Sequence, residues 1–149
     1  MALTFHHVEP DSPLCPASFT LMRELRPQLV DAQAYQRQLQ RQAAQGYRLL
    51  AACVAGELVG LAGYRELENL LYGRFVYVDD LVVQPGCQRG GLGAQLLAAV
   101  RVEAVQRGCA HLILDTGLHM PLAQRFYFRQ GLLARGLHFA ERLTGEGRA

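Results

Sequence analysis

The stretch from Phe75 to Val105, FVYVDDLVVQPGCQRGGLGAQLLAAVRVEAV, constrains this chain more than any other. An apolar strand comes first, then a polar loop crowded with glycine, then an amphipathic helix. A loop of that kind opening onto a helix leaves backbone N–H groups without an intrahelical partner, and the helix dipole adds partial positive charge there. Glycine permits the tight path and lets backbone approach a ligand that a side chain would block. The stretch therefore predicts a phosphate-bearing cofactor seated on residues 88–94.

The rest of the composition narrows the class. At 149 residues the chain is expected to form one domain, residues 1–149, with a core of its own. Fifteen basic residues against thirteen acidic ones give a net charge of +2, too balanced to argue for nucleic acid or a membrane surface as partner. The opening MALTFHHVEP lacks a signal-peptide pattern, and the apolar region Leu49 to Gly63 is interrupted and too short to span a bilayer. Cys15, Cys53, Cys87 and Cys109 form no C-x-x-C pair and no zinc spacing, and His6, His7, His111 and His138 form no ligand spacing. The expectation is a cytoplasmic protein with free thiols and no metal.

Taken in order, Ala2 to Val8 reads as a strand. Residues 17–30 read as a helix that Pro27 kinks or ends early. Asp31 is a natural N-cap for a second helix to Gln45, with Gly46 beyond it. Tyr47–Ala55 and Leu58–Leu67 are β-rich runs joined at Gly56-Glu57, a hairpin signal. Arg74–Val83 is apolar on both faces near its end, which places it centrally in a sheet. A helix over 91–107 follows, then a strand from His111 to Thr116, a helix from Pro121 to Gln130 and a terminal strand from Leu132 to Leu143. The order β-α-α-β-β-β-α-β-α-β predicts an α/β (α+β) fold, a mixed sheet flanked by helices.

Three phosphate-binding readings compete for the loop. A P-loop needs a Lys-Ser or Lys-Thr pair, and the chain has no lysine. A dinucleotide fingerprint would use Gly91 and Gly93 with Asp115 some way beyond, but Leu96 fills its third glycine position. Gln88-Arg89-Gly90-Gly91-Leu92-Gly93 matches Q/R-x-x-G-x-G/A. With VDDLVV before it, QLL after it, then LILDTG and RFYFRQGL, the region 75–133 resembles the GNAT superfamily of acetyl-coenzyme A-dependent N-acetyltransferases. Within it, AQRFYFRQGLLARGLHF looks like small-molecule acetyltransferases of the aminoalkylphosphonate type.

The resemblance implies a mostly antiparallel central sheet and acetyl-coenzyme A as co-substrate. It implies that the pyrophosphate lies on the backbone of Gln88, Arg89, Gly90, Gly91, Gly93 and Ala94, with Arg89 as charge partner. Leu81 and Val83 would pair with the pantetheine by main-chain bonds, and an N–H near Val82 would polarise the thioester carbonyl, on which negative charge grows. Tyr127 in Y-x-x-x-G would protonate the leaving thiolate. Ala123 lies on the same cofactor helix. Relatives commonly carry asparagine three residues before that alanine; Met120 stands there, and His119 is the neighbour able to replace its polar contact. A homodimer is common among relatives.

The acceptor sets a separate demand. Neutralising an amine of pKa ~10.4 at pH 7 costs about 4.6 kcal/mol, so a base must take its proton. Asp79 and Asp80 are the carboxylates nearest the cofactor strand, and simple alternation sends their side chains to opposite faces. Asp79 shares the parity at which several relatives hold a glutamate, so Asp79 is the expected base and Asp80 a structural residue; that both merely orient loops is the competing reading. The implied activity is acetyl transfer to a primary amine, of a small molecule, by direct attack in a ternary complex. Two alternatives stand beside it: a catalytically silent acyl-coenzyme A sensor, and an acetyltransferase acting on proteins or peptides.

Overall fold

Proline and glycine set the limits of most elements in the computed structural model, which describes residues 2–88 and 90–145. Helix α1 (Cys15–Leu25) stops short of its apolar stripe because Pro27 disfavours helical backbone at the residue before it. Arg26 accordingly sits at φ −123°, ψ 75°. Asp31 caps α2 (Ala32–Ala44) by accepting from the Gln33 N–H.

A five-stranded sheet forms in the order β1 (Leu3–His7), β2 (Tyr47–Val54), β3 (Glu57–Asn69), β4 (Gly73–Val83), β5 (His111–Leu114). Neighbours are antiparallel except β4 and β5, which run parallel after the crossover through α3 (Leu92–Gln106). This is the expected mixed, mostly antiparallel sheet flanked by helices. The chain divides into two compact units between Leu114 and Asp115, and α4 (Pro121–Arg129) belongs to the second.

The β2–β3 turn lies one residue earlier than the sequence signal placed it. Val54 faces Glu57 across the hairpin, so Ala55 and Gly56 form the turn, both with positive φ (53° and 82°). An L-residue pays for that conformation and asparagine pays less. Ala55→Asn is therefore expected to raise stability by about 0.5–1 kcal/mol, read from the denaturation midpoint.

Side-chain alternation gives the sheet two buried faces. Tyr47, Leu49, Ala51, Cys53 and Leu61 pack with Leu21, Met22, Tyr35 and Leu39 from α1 and α2. The other face meets α3, where Leu96, Leu97 and Val100 are fully buried and Leu96 lies against Gly60. Arg74 bonds Glu66 and also the Arg107 carbonyl, tying β3 and β4 to the end of α3. All four cysteines are free thiols, and no helix among the described residues is long and apolar enough to cross a membrane.

One expected element is missing. Residues 132–143 carry no regular structure, and Leu133, Leu137, Phe139 and Leu143 are exposed. An alternating pattern becomes a strand only where a neighbour accepts its backbone bonds, and among the described residues no strand pairs with this segment. Likewise β5 ends at Leu114, two residues short of the expected Thr116.

Candidate active site

A bulge in β4 shapes the surroundings of Asp79 and Asp80. Tyr64 pairs with Val78 and Gly63 with Asp80, so Asp79 is an extra residue without a ladder partner on β3. The expectation that Asp79 and Asp80 point to opposite faces fails here, because the extra residue interrupts the alternation. Asp79 binds Arg65 through both oxygens, Nε and Nη2 each at 2.8 Å. Asp80 accepts from the Tyr47 hydroxyl at 2.7 Å. Tyr47 and Arg65 are direct cross-strand partners, so both carboxylates lie on the sheet face that carries α1 and α2.

Three further residues complete this cluster, and the motif gave no sign of them. Arg26 donates to Asp80 Oδ1 at 3.0 Å through Nε and to the Asp79 carbonyl at 2.8 Å through Nη2. Arg65 lies over the Tyr77 ring, 5.5 Å from its centroid. The Tyr47 ring lies on Gly63, where a Cβ would come within 1.8 Å of the hydroxyl oxygen. Burial, and then the charge of Asp80, push the Tyr47 phenol well above its usual range. Tyr35 is pushed up to about 12 by burial, and its hydroxyl meets that of the fully buried Ser18 at 2.9 Å. Donating its hydrogen bonds to the Asp79 carboxylate raises the pKa of the Arg65 guanidinium. Pro27, which ends α1, is the sequence signal that could have located Arg26.

The same strand carries an open edge. Strand β5 pairs only with Phe75–Val78, so among the described residues no strand covers 79–83 on that side. The Gln84 N–H donates to the Val59 carbonyl at 2.8 Å. In an antiparallel ladder this phase turns residues 82 and 80 toward β3 and leaves the N–H and C=O groups of Leu81 and Val83 facing the open side. The N–H groups beside Val82 that face the open side are those of Leu81 and Val83. Val82 itself faces β3, and its side chain packs against the α1/α2 core.

Beyond β4, a short turn over Pro85–Cys87 leads to α3. Gly91 takes the N-cap position at φ 75°, a conformation that favours glycine, with open space where a Cβ would be. No side chain caps this helix and no acid occupies its first turn. The N–H groups of Leu92, Gly93 and Ala94 thus begin the helix without intrahelical acceptors or a neutralising charge. That fits an anionic pyrophosphate. Gly90 differs from the rest of the loop, since its N–H turns back to the Cys87 carbonyl at 3.4 Å. Gln88 lies in the turn before it, and Arg89 lies outside the described residues.

In the second unit, Tyr127 sits on α4 with its ring edge-on to Phe126 at 5.2 Å, and burial raises its phenol pKa. Ala123 is half-buried on the same helix. Met120 caps α4 with no side-chain bond. The polar contacts to the preceding turn come from Gln124, whose Nε2 donates to the Gly117 and Leu118 carbonyls at 2.9 and 3.1 Å. The His119 ring instead packs over Gly117, 2.6 Å from where a Cβ would stand. Among the described residues no group of three His, Cys, Asp or Glu could hold a metal ion.

Comparison with known proteins bears on this arrangement. Residues 17–132 match the model of the acetyltransferase (GNAT) family. The chain is 31% identical over 130 residues to the IAA acetyltransferase of Azospirillum brasilense, covering 85% of this chain and 83% of that protein. It is 33% identical over 98 residues to the aminoalkylphosphonate N-acetyltransferase of Salmonella typhimurium, covering 65% and 62%. Among solved structures, an aminoglycoside N-acetyltransferase in complex with CoA shares the fold at a TM-score of 0.83 and 17% identity, with 96% of each chain covered. A ribosomal-protein-alanine N-acetyltransferase from Brucella melitensis biovar Abortus 2308 shares it at 0.80 and 19%, covering 95% of this chain and 100% of that one. The chain belongs to the GNAT acetyltransferase family and is an acyltransferase that uses acetyl-coenzyme A.

Proposed function

We propose that this acetyltransferase acetylates a primary amine of a small molecule by direct attack in a ternary complex, residues 1–149 acting as one catalytic domain in the cytoplasm. The observation that carries the reading is the continuity of β4 and α3. One stretch of chain presents an unpaired strand edge at 79–83 and, directly after it, an uncapped helix N-terminus. An extended amide-bearing arm ending in a pyrophosphate suits both features. The name of one relative, the aminoalkylphosphonate N-acetyltransferase, points to a small-molecule acceptor and supports the substrate class.

In this reading Gln88, Arg89, Gly90, Gly91, Gly93 and Ala94 surround the pyrophosphate, with the N–H groups of residues 92–94 as its donors. Leu81 and Val83 hold the arm by main-chain bonds, and one of their N–H groups faces the thioester oxygen as charge grows there. His119 and Ala123 are assigned to the binding of the cofactor. The bound acetyl-coenzyme A supplies an activated acyl carbon. The amine nitrogen bonds to that carbon, and the C–S bond breaks. Asp79, through water, takes the proton from the amine. Each Asp79 oxygen keeps a second lone pair after binding Arg65, so the ion pair leaves it acceptor capacity. Tyr127 gives its hydroxyl proton to the departing sulfur.

The test is thiol release from acetyl-coenzyme A against polyamines, aminoglycosides, aminoalkylphosphonates, amino acids and short peptides. Turnover is expected on one small-molecule class. Tyr127→Phe is expected to lower kcat by roughly 100–10,000-fold, the usual scale of a lost general acid. Because burial raises the Tyr127 pKa, the donor stays protonated above the ordinary phenol range, and the alkaline fall in rate belongs at high pH and vanishes in the variant. Asp79→Asn is expected to lower kcat by roughly 100-fold or more, the scale of a lost general base. Turnover confined to peptides overturns the substrate class, and silence with coenzyme A binding intact favours a sensor.

A further inference from the structure

We propose that Arg26 is a positioning residue for acetyl transfer, stapling the β4 bulge to the end of α1 so that the Leu81 and Val83 N–H groups keep their aim. The inference rests on the placement of the thioester at residues 81–83 proposed above.

A bulge locally disrupts the ladder, because its extra residue has no cross-strand partner to hold it. Here that residue is Asp79, and the groups that face the acyl arm begin two residues later. Arg26 supplies what the ladder lacks. One guanidinium nitrogen takes the Asp79 carbonyl at 2.8 Å, and another takes the carboxylate of the next residue at 3.0 Å. The second Asp80 oxygen is held from the opposite direction by Tyr47, whose ring rests on Gly63, the ladder partner of Asp80. The bulge is thus gripped from α1 and from β2 at once.

Two features argue that the grip serves geometry more than helix stability. Arg26 lies beyond the last residue of α1, in the extended conformation that Pro27 imposes, so its side chain is free of the helix register. The planar fork of arginine serves two acceptors at fixed relative positions, which a lysine ammonium on a flexible stem does not. Arg26 also touches no Asp79 carboxylate oxygen, since both of those go to Arg65. Its removal would therefore move the strand and leave the proposed base its partner.

The experiment compares wild type, Arg26→Ala, Arg26→Lys and Tyr47→Phe in the full-length protein, using the amine that the wild type accepts. A misplacement near ~1 Å costs about 100-fold, so Arg26→Ala is expected to lower kcat by that order. Coenzyme A affinity and the amine KM should stay within about threefold. A loss of folded protein would lower the coenzyme A binding stoichiometry along with the apparent kcat, so kcat referred to titrated binding sites separates misplacement from instability. Arg26→Lys should recover only part of the rate, and Tyr47→Phe should lose about tenfold with binding intact, on the same scale of geometric loss. These two variants decide the matter should Arg26→Ala fail to fold. A kcat within twofold of wild type in both folded variants overturns the proposal, as does a loss confined to coenzyme A affinity. A wild type that neither binds coenzyme A nor releases thiol would instead strike the underlying reading of the site.

Discussion

Gly63→Ala is expected to cost roughly 3 kcal/mol, the upper range for overpacking a filled site. The new methyl carbon would stand 1.8 Å from the Tyr47 oxygen and 2.4 Å from Cζ, and the ring is buried and bonded to Asp80. The ring must therefore move, and moving it leaves a carboxylate oxygen without its donor, which adds a desolvation penalty. Chemical denaturation reads the loss. A Tyr47→Leu background serves as control, since removing the hydroxyl and ring should shrink the cost of Gly63→Ala by about 1 kcal/mol or more through their coupling. An equal cost in both backgrounds would show that the tyrosine does not set the requirement for glycine.

Ala94→Asp is the second large effect, and its two parts carry opposite signs. Ala94 is in the first turn of α3, a helix with neither a side-chain cap nor an acid there. A carboxylate at that position complements the dipole and should stabilise the protein by about 0.3–1 kcal/mol. The same carboxylate occupies the field proposed for the pyrophosphate, and repulsion is expected to weaken coenzyme A binding by about 100-fold, equivalent to ~2.7 kcal/mol. Thermal melting without ligand and calorimetric titration with coenzyme A separate the two. Affinity within threefold of wild type would remove this helix end from the binding site.

These expectations draw unequally on sequence and structure. The β4–loop–α3 stretch was legible because its signals are local. Val and Leu runs, Gln84-Pro85-Gly86 and the Gly90–Gly93 cluster each act on the backbone within a few residues. Asp31 before α2 and Gly46 after it were legible for the same reason. The hairpin turn was misplaced by one residue because Ala55 adopts a left-handed conformation that composition does not announce. The terminal strand was over-read because alternation at Leu133, Leu137 and Phe139 marks the capacity to pair, and pairing requires a neighbour.

The sequence by itself determined the order of elements up to α4, the sheet class and the family, since each depends on spacing along one contiguous stretch. Only the tertiary structure decided the surroundings of Asp79 and Asp80. It brought Arg26, Tyr47, Gly63 and Arg65 to two adjacent aspartates, and it put both carboxylates on one face. The physical reason is the bulge. One unpaired residue in a ladder reverses the phase of every side chain beyond it, and the bulge exists only when β3 and β4 pair in this register.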